Sequence, residues 1–163
     1  MSQMGIALRG FARSQQRLQR MEERMHRNAR RLLLREAHAL RRDIIAGIRS
    51  QAPGGDRFKQ LSPVTIAAKG SSKALIDRGD LIRSINVSEF EGGKIIFVGV
   101  NRNEQNQDGT MLEDIAVVHE FGTGPGAEVP IPARPYLRPS MREWRKVGPQ
   151  RFAQALAKSM GVQ

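Results

Sequence analysis

The stretch that decides the fold is QQRLQRMEERMHRNARRLLLREAHALRRDIIAGIRS, residues 15–50, which contains no proline and a single glycine. Its apolar residues recur mostly at spacings of three and four, which is the period of an α-helix. They are Leu18, Met21, Met25, Ala29, Leu32, Leu33, Leu40, Ile44 and Ile48. At ~1.5 Å per residue such a helix extends roughly 54 Å, longer than a small globular domain needs. We therefore expect part of it to project or to pack against another subunit.

Arginine follows the same helical period. We call the following set the arginine ridge: Arg9, Arg13, Arg17, Arg20, Arg24, Arg27, Arg31 and Arg35. At about 100° per residue these positions fall in a band opposite the stripe of Leu18, Met25 and Leu32. Because the guanidinium group binds phosphate or carboxylate through a planar fork, the ridge is a candidate contact for DNA or for an acidic protein surface. Plain solvation of the ridge is the third interpretation.

Most of the net charge belongs to this helix. The chain has 163 residues, with 27 Lys plus Arg against 16 Asp plus Glu, which gives a formal charge of +11. Residues 1–50 hold 12 Arg and 4 acids, a net of +8, whereas residues 51–163 hold 15 basic and 12 acidic residues, a net of +3. The difference predicts a basic helical arm over 1–50 and an α+β domain over 51–163.

Composition excludes several classes of protein. No apolar run approaches the ~18 residues of a membrane helix, and the start of the chain lacks the pattern of a secretory signal, so we expect neither secretion nor membrane contact. The chain has no cysteine, which excludes disulfides, thiolate zinc sites and cysteine nucleophiles. Aromatic residues make up only 5% of the chain, so the core of one subunit is modest.

Local signals predict two short elements after the long helix. Ser62 followed by Pro63 is typical of a helix start, and Gly70 stands where a short helix over 63–69 would end. Alternating apolar residues around a glycine turn predict a β-hairpin over 83–100. Together with the long helix and a helical pattern near the C-terminus, these elements predict an α+β fold with a small, mostly antiparallel sheet.

The remainder of the chain predicts less regular structure. Residues 101–114 are polar and predict an exposed loop, and residues 122–135 are rich in glycine and proline and predict an irregular segment. Residues 115–119 are apolar but too short for periodicity to separate a strand from a helix. In the C-terminal helical pattern, the pair at 148–149 is Gly-Pro, which predicts two helical pieces or a sharp kink.

The sequence offers little for catalysis. His119 and Glu120 begin the zinc-protease pattern H-E-x-x-H, but Thr123 stands where the second histidine ligand is required. The glycines between 122 and 126 match neither the spacing of a P-loop nor that of a dinucleotide-binding loop. We therefore predict no enzyme, no metal site and no cofactor.

The second part of the chain contains five blocks that form a recognisable series. They are Phe58-Lys-Gln-Leu-Ser-Pro-Val-Thr-Ile66, Leu75-Ile-Asp-Arg-Gly-Asp-Leu-Ile-Arg-Ser-Ile85, Val98-Gly99-Val100, His119-Glu-Phe-Gly122 and Ile131-Pro-Ala-Arg-Pro-Tyr-Leu137. In order and spacing the series resembles the phage virion morphogenesis family, the tail-completion proteins of tailed phages, including Mu-like phages. The resemblance covers about 58–140 and leaves out the N-terminal helix. One departure is Arg78, where the family often has Thr before the glycine.

The resemblance implies a structural virion protein that completes the tail, as a tail terminator does, or joins the tail to the head at the neck. It implies a homo-oligomeric ring, a hexamer, in contact with the head connector or stopper and with the tail tube, and with genome DNA in the channel as a further candidate partner. The protein would act in the virion, after assembly in the host cytoplasm. The alternative is a basic DNA-binding accessory protein that uses the arginine-rich helix.

The matched blocks also supply candidate residues for inter-subunit or structural contacts. They are Leu75, Gly79, Leu81, Ser84, His119, Glu120, Phe121, Gly122, Pro132, Arg134, Pro135 and Tyr136. Prolines restrict the chain around Arg134 and Tyr136. This segment is either a clamp between subunits or an intramolecular strap that covers the sheet, hydrogen-bonded by His119 and Glu120, and the sequence leaves both open.

Overall fold

A computed structural model describes residues 11–124 and 126–161. Its helices are α1 (Phe11–Ser50), α2 (Pro63–Lys69), α3 (Asp80–Ser84), α4 (Leu112–Phe121) and α5 (Leu137–Met160), with 3-10 turns at Pro53–Gly55 and Glu91–Gly93. Its strands are β1 (Ile85–Phe90) and β2 (Ile95–Val100). The predicted α+β fold, with a long N-terminal helix, a small antiparallel sheet and a C-terminal helical segment, is confirmed.

Helix α1 has two halves with different surroundings. Over its second half one apolar face is buried, from Leu32 through Leu40 and Ile44 to Ile48, which is fully buried. Over its first half the apolar side chains of Leu18 and Met21 remain about two-thirds exposed, at 64% and 63%. The helix is therefore anchored at its C-terminal half. Within the described residues, its N-terminal half approaches the end of α5 and no other long element.

The core lies where the second half of α1 meets the hairpin, α4 and the start of α5. Its buried members are Leu40, Ile44, Ile48, Ala74, Leu75, Leu81, Ile85, Ala116 and Tyr136. Three of the nine come from α1, and the others come from later segments of the chain. The second half of the predicted arm over 1–50 thus shares one core with residues 51–163.

The hairpin is the predicted one and contains two strands. β1 and β2 pair antiparallel, with Ile85 opposite Val100 and Phe90 opposite Ile95. Arg41 of α1 donates from Nε to the carbonyl oxygen of Ile85 at 2.5 Å. A two-stranded sheet is at best marginally stable by itself, so its packing against α1 supplies the support that the ladder lacks.

Helix α2 has the predicted bounds and the predicted caps. The hydroxyl oxygen of Ser62 accepts a hydrogen bond from the backbone N–H of Thr65 at 3.2 Å, which satisfies one of the free donors of the first turn. Gly70 ends the helix in the left-handed conformation, where glycine lacks the steric cost of a side chain.

Helix α4 contains residues 115–119, which periodicity could not assign to a strand or a helix. Residues 115–119 are helical, and the helix begins at Leu112, so the predicted exposed loop over 101–114 is wrong for its last three residues. The buried positions Leu112, Ala116 and Glu120 are spaced by four, as on one face of a helix. One of these three is a carboxylate, which hides the apolar period from a reading of the sequence.

Of the two alternatives predicted for the Gly-Pro pair, two helical pieces are wrong, because α5 runs from Leu137 to Met160 through Pro149. Proline inside a helix removes a hydrogen-bond donor, and its ring crowds the carbonyl one turn earlier. At Gly148 an added Cβ would lie 2.3 Å from the ring of Trp144. The glycine therefore makes room for the indole against the helix backbone, and packing stabilises the helix across the pair.

Truncation of the core face of α1 tests this packing. Ile44 is 1% exposed, so Ile44→Ala removes buried methyl and methylene groups, and we expect the free energy of unfolding to fall by about 2–5 kcal/mol. Val64, which is 79% exposed, gives the control Val64→Ala, with an expected change within about 0.5 kcal/mol. Equilibrium urea unfolding followed by circular dichroism measures both, and equal midpoints for the two variants would contradict the core described above.

Candidate structural site and assembly surfaces

Glu120 lies at the centre of the predicted HEFG block and caps helix α5. Its carboxylate accepts the backbone N–H groups of Tyr136, Leu137 and Arg138 at 2.8, 2.9 and 3.0 Å. These donors belong to the N-terminus of α5, where N–H groups have no partner inside the helix and the helix dipole favours a negative charge. A carboxylate from α4 therefore fixes the start of α5.

Arg138 completes this junction. Its Nε donates to the Glu120 carboxylate at 3.0 Å and its Nη2 donates to the Glu120 carbonyl oxygen at 2.7 Å. Its guanidinium carbon also lies 4.6 Å from the centre of the Phe121 ring, within the range of a cation–π contact. Glu120 is nearly fully buried, and its two oxygens are occupied by four donors. The carboxylate is a structural cap and not a free acid or base.

Tyr136 brings the strap into the core. It is fully buried, and burial, followed by the nearby Glu120 carboxylate, raises the pKa of its phenol above the ordinary value. Its hydroxyl group has no hydrogen-bond partner within the described part of the chain. The residue acts through the volume of its ring, and it places the N-terminus of α5 against α1.

Arg134 ties the same segment to an earlier part of the chain. It is buried, and it donates from Nε to the carbonyl oxygen of Lys59 at 2.9 Å and from Nη2 to that of Gln60 at 3.1 Å. Burial lowers the pKa of its guanidinium group. Its backbone N–H donates to the carbonyl oxygen of His119 at 2.7 Å. Residues 131–137 thus contact their own chain as an intramolecular strap.

Gly122 permits the turn from α4 into this segment. Its φ of +79° lies in the region that favours glycine, and a Cβ added there would lie 2.9 Å from the backbone nitrogen of Ala133. Next to it, Thr123 donates from its N–H to the carbonyl oxygen of Ile131 at 3.0 Å. The two ends of the irregular segment are therefore held together, with exposed Pro132 and half-buried Pro135 in its second half.

His119 is a neutral, half-buried imidazole near two cations. Burial, followed by the charges of Arg134 and Lys69, lowers its pKa from 6.5 to about 4. It lines a cavity of about 520 Å³ together with Lys69 and Asp77. Its Nδ1 has no hydrogen-bond partner among the residues that the structure describes. The imidazole is placed for packing; the hydrogen bond that ties this residue to the strap comes from its backbone.

The block that begins at Leu75 leads into α3 and lies beside α4. Leu75 and Leu81 are buried in the core, and the Ser84 hydroxyl donates to the carbonyl oxygen of Leu81 at 2.9 Å. Gly79 stands at the N-cap of α3 with a φ of +84°. Leu75, Gly79 and Leu81 line the same cavity as His119, so the structure brings these predicted residues together.

Arg78, the departure from the family pattern, reaches the loop after the hairpin. Its two Nη atoms donate to the carboxylate of Asp108 at 3.0 and 2.8 Å. The pair raises the pKa of Arg78, through the hydrogen bond first and the charge second. Exposed ion pairs contribute little to stability, so the main effect of Arg78 is to orient the loop.

The arginine ridge is exposed along the described part of α1, from Arg13 to Arg35; Arg9 lies outside the described residues. Arg27 contacts Glu23 at 3.4 Å, and Arg35 contacts the buried Glu36 at 3.7 Å. The stronger partner of Glu36 is Arg151 of α5, at 2.7 Å. The first half of the ridge therefore presents its charge to solvent, and the second half approaches the junction of α1 with α5.

Sequence reasoning missed two residues that hold this site together. Arg138 makes three of the hydrogen bonds to Glu120, and Gln51 bridges α1 to the turn before Leu75. The Gln51 side chain accepts from the N–H of Ala74 at 2.6 Å and donates to its carbonyl oxygen at 3.0 Å. A long polar side chain beside a motif is a weak signal in a sequence. Neither residue can be singled out until the three-dimensional path of the chain is known.

Within residues 11–124 and 126–161, no helix is both long enough and apolar enough to cross a membrane. In the same ranges no group of three or more His, Cys, Asp or Glu side chains is placed to hold a metal ion. What the described residues present instead is an internally satisfied polar junction and exposed apolar and basic surfaces.

Comparison with protein families gives one match. The model of the phage virion morphogenesis family matches residues 10–148. This range extends beyond the blocks at 58–140 and takes in α1, so the expectation that the N-terminal helix lies outside the family pattern is wrong. No curated protein and no solved structure matches the chain.

Replacement of the cap tests the Glu120 junction. Glu120→Gln keeps the size of the side chain but loses the charge and turns an amide N–H₂ towards backbone donors, so we expect the free energy of unfolding to fall by about 1–3 kcal/mol. Asp114→Asn, on the exposed side of the same helix, should change it by less than about 0.5 kcal/mol. Thermal and urea unfolding measure the change in stability. An unchanged midpoint for Glu120→Gln would show that the cap is dispensable.

The lowered pKa of His119 predicts a pH dependence of stability. Between pH 6.5 and about 4 the unfolded chain binds more protons at this residue than the folded chain does, so the free energy of unfolding falls as the pH falls through this window. His119→Gln should make the slope between pH 7 and pH 5 shallower. His26→Gln is the control, since that side chain is 62% exposed. Urea midpoints at each pH measure the slopes, and parallel slopes for wild type and His119→Gln would contradict the assignment.

Proposed function

The chain belongs to the phage virion morphogenesis family, and from this we propose that it completes the tail of a tailed phage or joins the tail to the head at the neck. In this proposal the protein acts as a hexameric ring of identical subunits. Its role is to bind its neighbours and to fix the geometry of the join. Its neighbours are the head connector or stopper on one side and the tail tube on the other. Assembly takes place in the host cytoplasm, and the protein remains in the virion.

The observation that carries this proposal is that charged residues of the family motif form hydrogen bonds within their own chain. The buried charged residues of the matched blocks, Glu120 and Arg134, are hydrogen-bonded to backbone groups of the same chain. They fix the shape of the subunit, and neither side chain is free to act as a nucleophile or a base. A motif used in this way supports a structural role, and it gives no support to an enzyme.

A second observation concerns what is left exposed. Large apolar side chains are exposed on the first half of α1, on the hairpin and on α4, and a monomer in water gains nothing from them. Exposed apolar surface next to strong charge is typical of a protein that is completed by its partners. This supports assembly as the function, with contacts to several neighbours.

The exposure of the arginine ridge favours a second candidate, contact with DNA. Arg13, Arg17, Arg20 and Arg24 are exposed along one side of the free half of α1. In a ring around the genome channel this side would meet phosphates, and as an independent accessory protein the same helix would bind duplex DNA. If the helix lies on the outside of the ring, the ridge docks acidic surfaces of neck proteins instead.

Deletion of the protein from the phage tests the structural proposal. We expect lysates that contain DNA-filled heads and separate tails, because heads and tails form by independent routes and only their union is lost. Electron microscopy and plaque titre measure this. Expression of the wild-type chain from a plasmid is the control and should restore infectious particles; normal particles without the protein would refute the proposal.

A salt titration tests the DNA candidate. If arginines of the ridge contact phosphates, the logarithm of the affinity for duplex DNA falls linearly with the logarithm of the salt concentration, by about 0.9 for each phosphate contact. Replacement of Arg13, Arg17 and Arg20 by Gln should make that slope shallower by about three such contacts. Fluorescence anisotropy gives the affinities, and absence of binding at low salt would remove DNA as a partner of the free protein.

A further inference from the structure

The free half of α1 carries an uncovered apolar face. We call it the arm stripe: Phe11, Leu18, Met21 and Met25. Their exposed fractions are 63%, 64%, 63% and 40%, and their spacings of seven, three and four place them on one face of the helix. Thioether and aromatic side chains of this size are characteristic of contact surfaces between proteins.

Among residues 11–124 and 126–161, the last turn of α5 is the one other element that reaches this stripe. Asn28 of α1 donates to the Ser159 hydroxyl at 3.2 Å, and a cavity of about 420 Å³ lies between Leu18, Met21, Met25 and Met160. Helix α5 ends at Met160. The helix before Asn28, 17 residues and about 25 Å long, therefore extends beyond the element that could have covered it.

A second uncovered apolar surface lies on the outer side of the hairpin. We call it the sheet groove: Phe90, Phe97, Val100 and Val117 line it, and it encloses about 840 Å³. Phe90 and Val117 are 53% and 56% exposed. Glu113 and Asp114 of α4 lie on the border of the groove, and Arg102 is a basic residue on the same border. The side of the groove that α4 forms is therefore acidic.

The arm stripe and the sheet groove have similar lengths, and the residues that border them carry opposite charge. Strands of six residues are about 20 Å long, close to the length of the free helix. Residues 11–27 carry five arginines and two glutamates, and the groove border on α4 carries two acids. At 100° per residue the ridge and the arm stripe are centred roughly 125° apart. The ridge therefore flanks the arm stripe, and the expectation that it lies opposite the apolar residues needs this correction. Its arginines come near the border of any groove that the stripe enters.

A chain cannot place its own arm stripe in its own sheet groove. The hairpin faces α1 with its inner side, where Arg30 pairs with Glu89 at 2.7 Å and Arg41 reaches Ile85. The groove lies on the other side. Helix α1 is continuous over 40 residues, so its first half has no hinge by which to turn back around the sheet.

We propose that the arm stripe of each copy docks in the sheet groove of the next copy. The contact joins two different surfaces, so every subunit gives an arm and receives one, and such head-to-tail contacts close into rings when the rotation allows. The inference rests on the proposed function for the place of the ring in the virion, but the contact itself is a property of the isolated protein. The apolar stripe makes the contact, and the ridge and the acids of α4 set its register.

Complementation between two defective variants tests this contact in the purified full chain. The arm variant is Leu18→Glu with Met21→Glu, and the groove variant is Phe90→Glu with Val117→Glu. Light scattering coupled to gel filtration should give an oligomer for wild type and a monomer of 18.2 kDa for each variant. An equimolar mixture of the two should give dimers, because one intact arm and one intact groove remain.

Two controls separate loss of contact from loss of folding. Circular dichroism should show wild-type helix content for both variants, and Val64→Glu, on α2 away from both surfaces, should keep the oligomer. The chain has no cysteine, so single cysteines report proximity without background. On mild oxidation Met21→Cys mixed with Val117→Cys should give at least tenfold more disulfide dimer than either variant alone.

Several results would overturn the proposal. A wild-type protein that stays monomeric at all concentrations would overturn it. An arm variant that is monomeric beside a groove variant that remains oligomeric would also overturn it, because arms would then pair with arms. Assembly only after addition of duplex DNA would assign the stripe to a DNA-dependent state. If the purified protein assembles as proposed while the phage without it is normal, the contact stands and the neck function fails, so the two failures are distinguishable.

Discussion

The hydrogen bonds between the Glu120 carboxylate and the first N–H groups of α5 are the constraint on which the rest of the structure depends. A helix start is a set of unsatisfied donors with partial positive charge, and a charged acceptor from another element fixes its position more firmly than a local cap does. Because α4 supplies Glu120, the irregular segment between the two helices has fixed ends. Tyr136 then enters the core, and α5 lies along α1.

This junction explains how one long helix serves two purposes. Packing of α5 and the hairpin holds the second half of α1, from Leu32 onward, as part of the core. Helix formation is cooperative, and a segment that extends from a fixed turn avoids the cost of nucleation. The first half is therefore helical although its apolar face is uncovered. In the proposed assembly a preformed helix of this kind would lose less conformational entropy on binding than a disordered segment.

The sequence predicts those elements whose signals are local. The period of α1, the Ser62 and Gly70 caps of α2 and the glycine turn of the hairpin all follow from spacing or from backbone preference, and all are confirmed. Helix α4 and the continuity of α5 depend on contacts instead. A carboxylate on the buried face of α4 breaks the apolar period, and the Trp144 ring over Gly148 outweighs the helix-breaking pair. The role of Glu120 was open for the same reason, since its partners lie 16 to 18 residues away along a path that the sequence does not reveal.

The buried charges of the matched blocks and the exposed apolar side chains have different roles in this subunit. Glu120 and Arg134 are satisfied by backbone groups of their own chain, so their charges fix the positions of α4, α5 and the segment between them. Large apolar side chains of α1, the hairpin and α4 stay exposed among the described residues. In the proposed assembly, burial of this surface depends on neighbours of matching shape. Assembly would then be coupled to the correct fold of each subunit, because the Glu120 junction fixes the start of α5 and, through it, the position of α1.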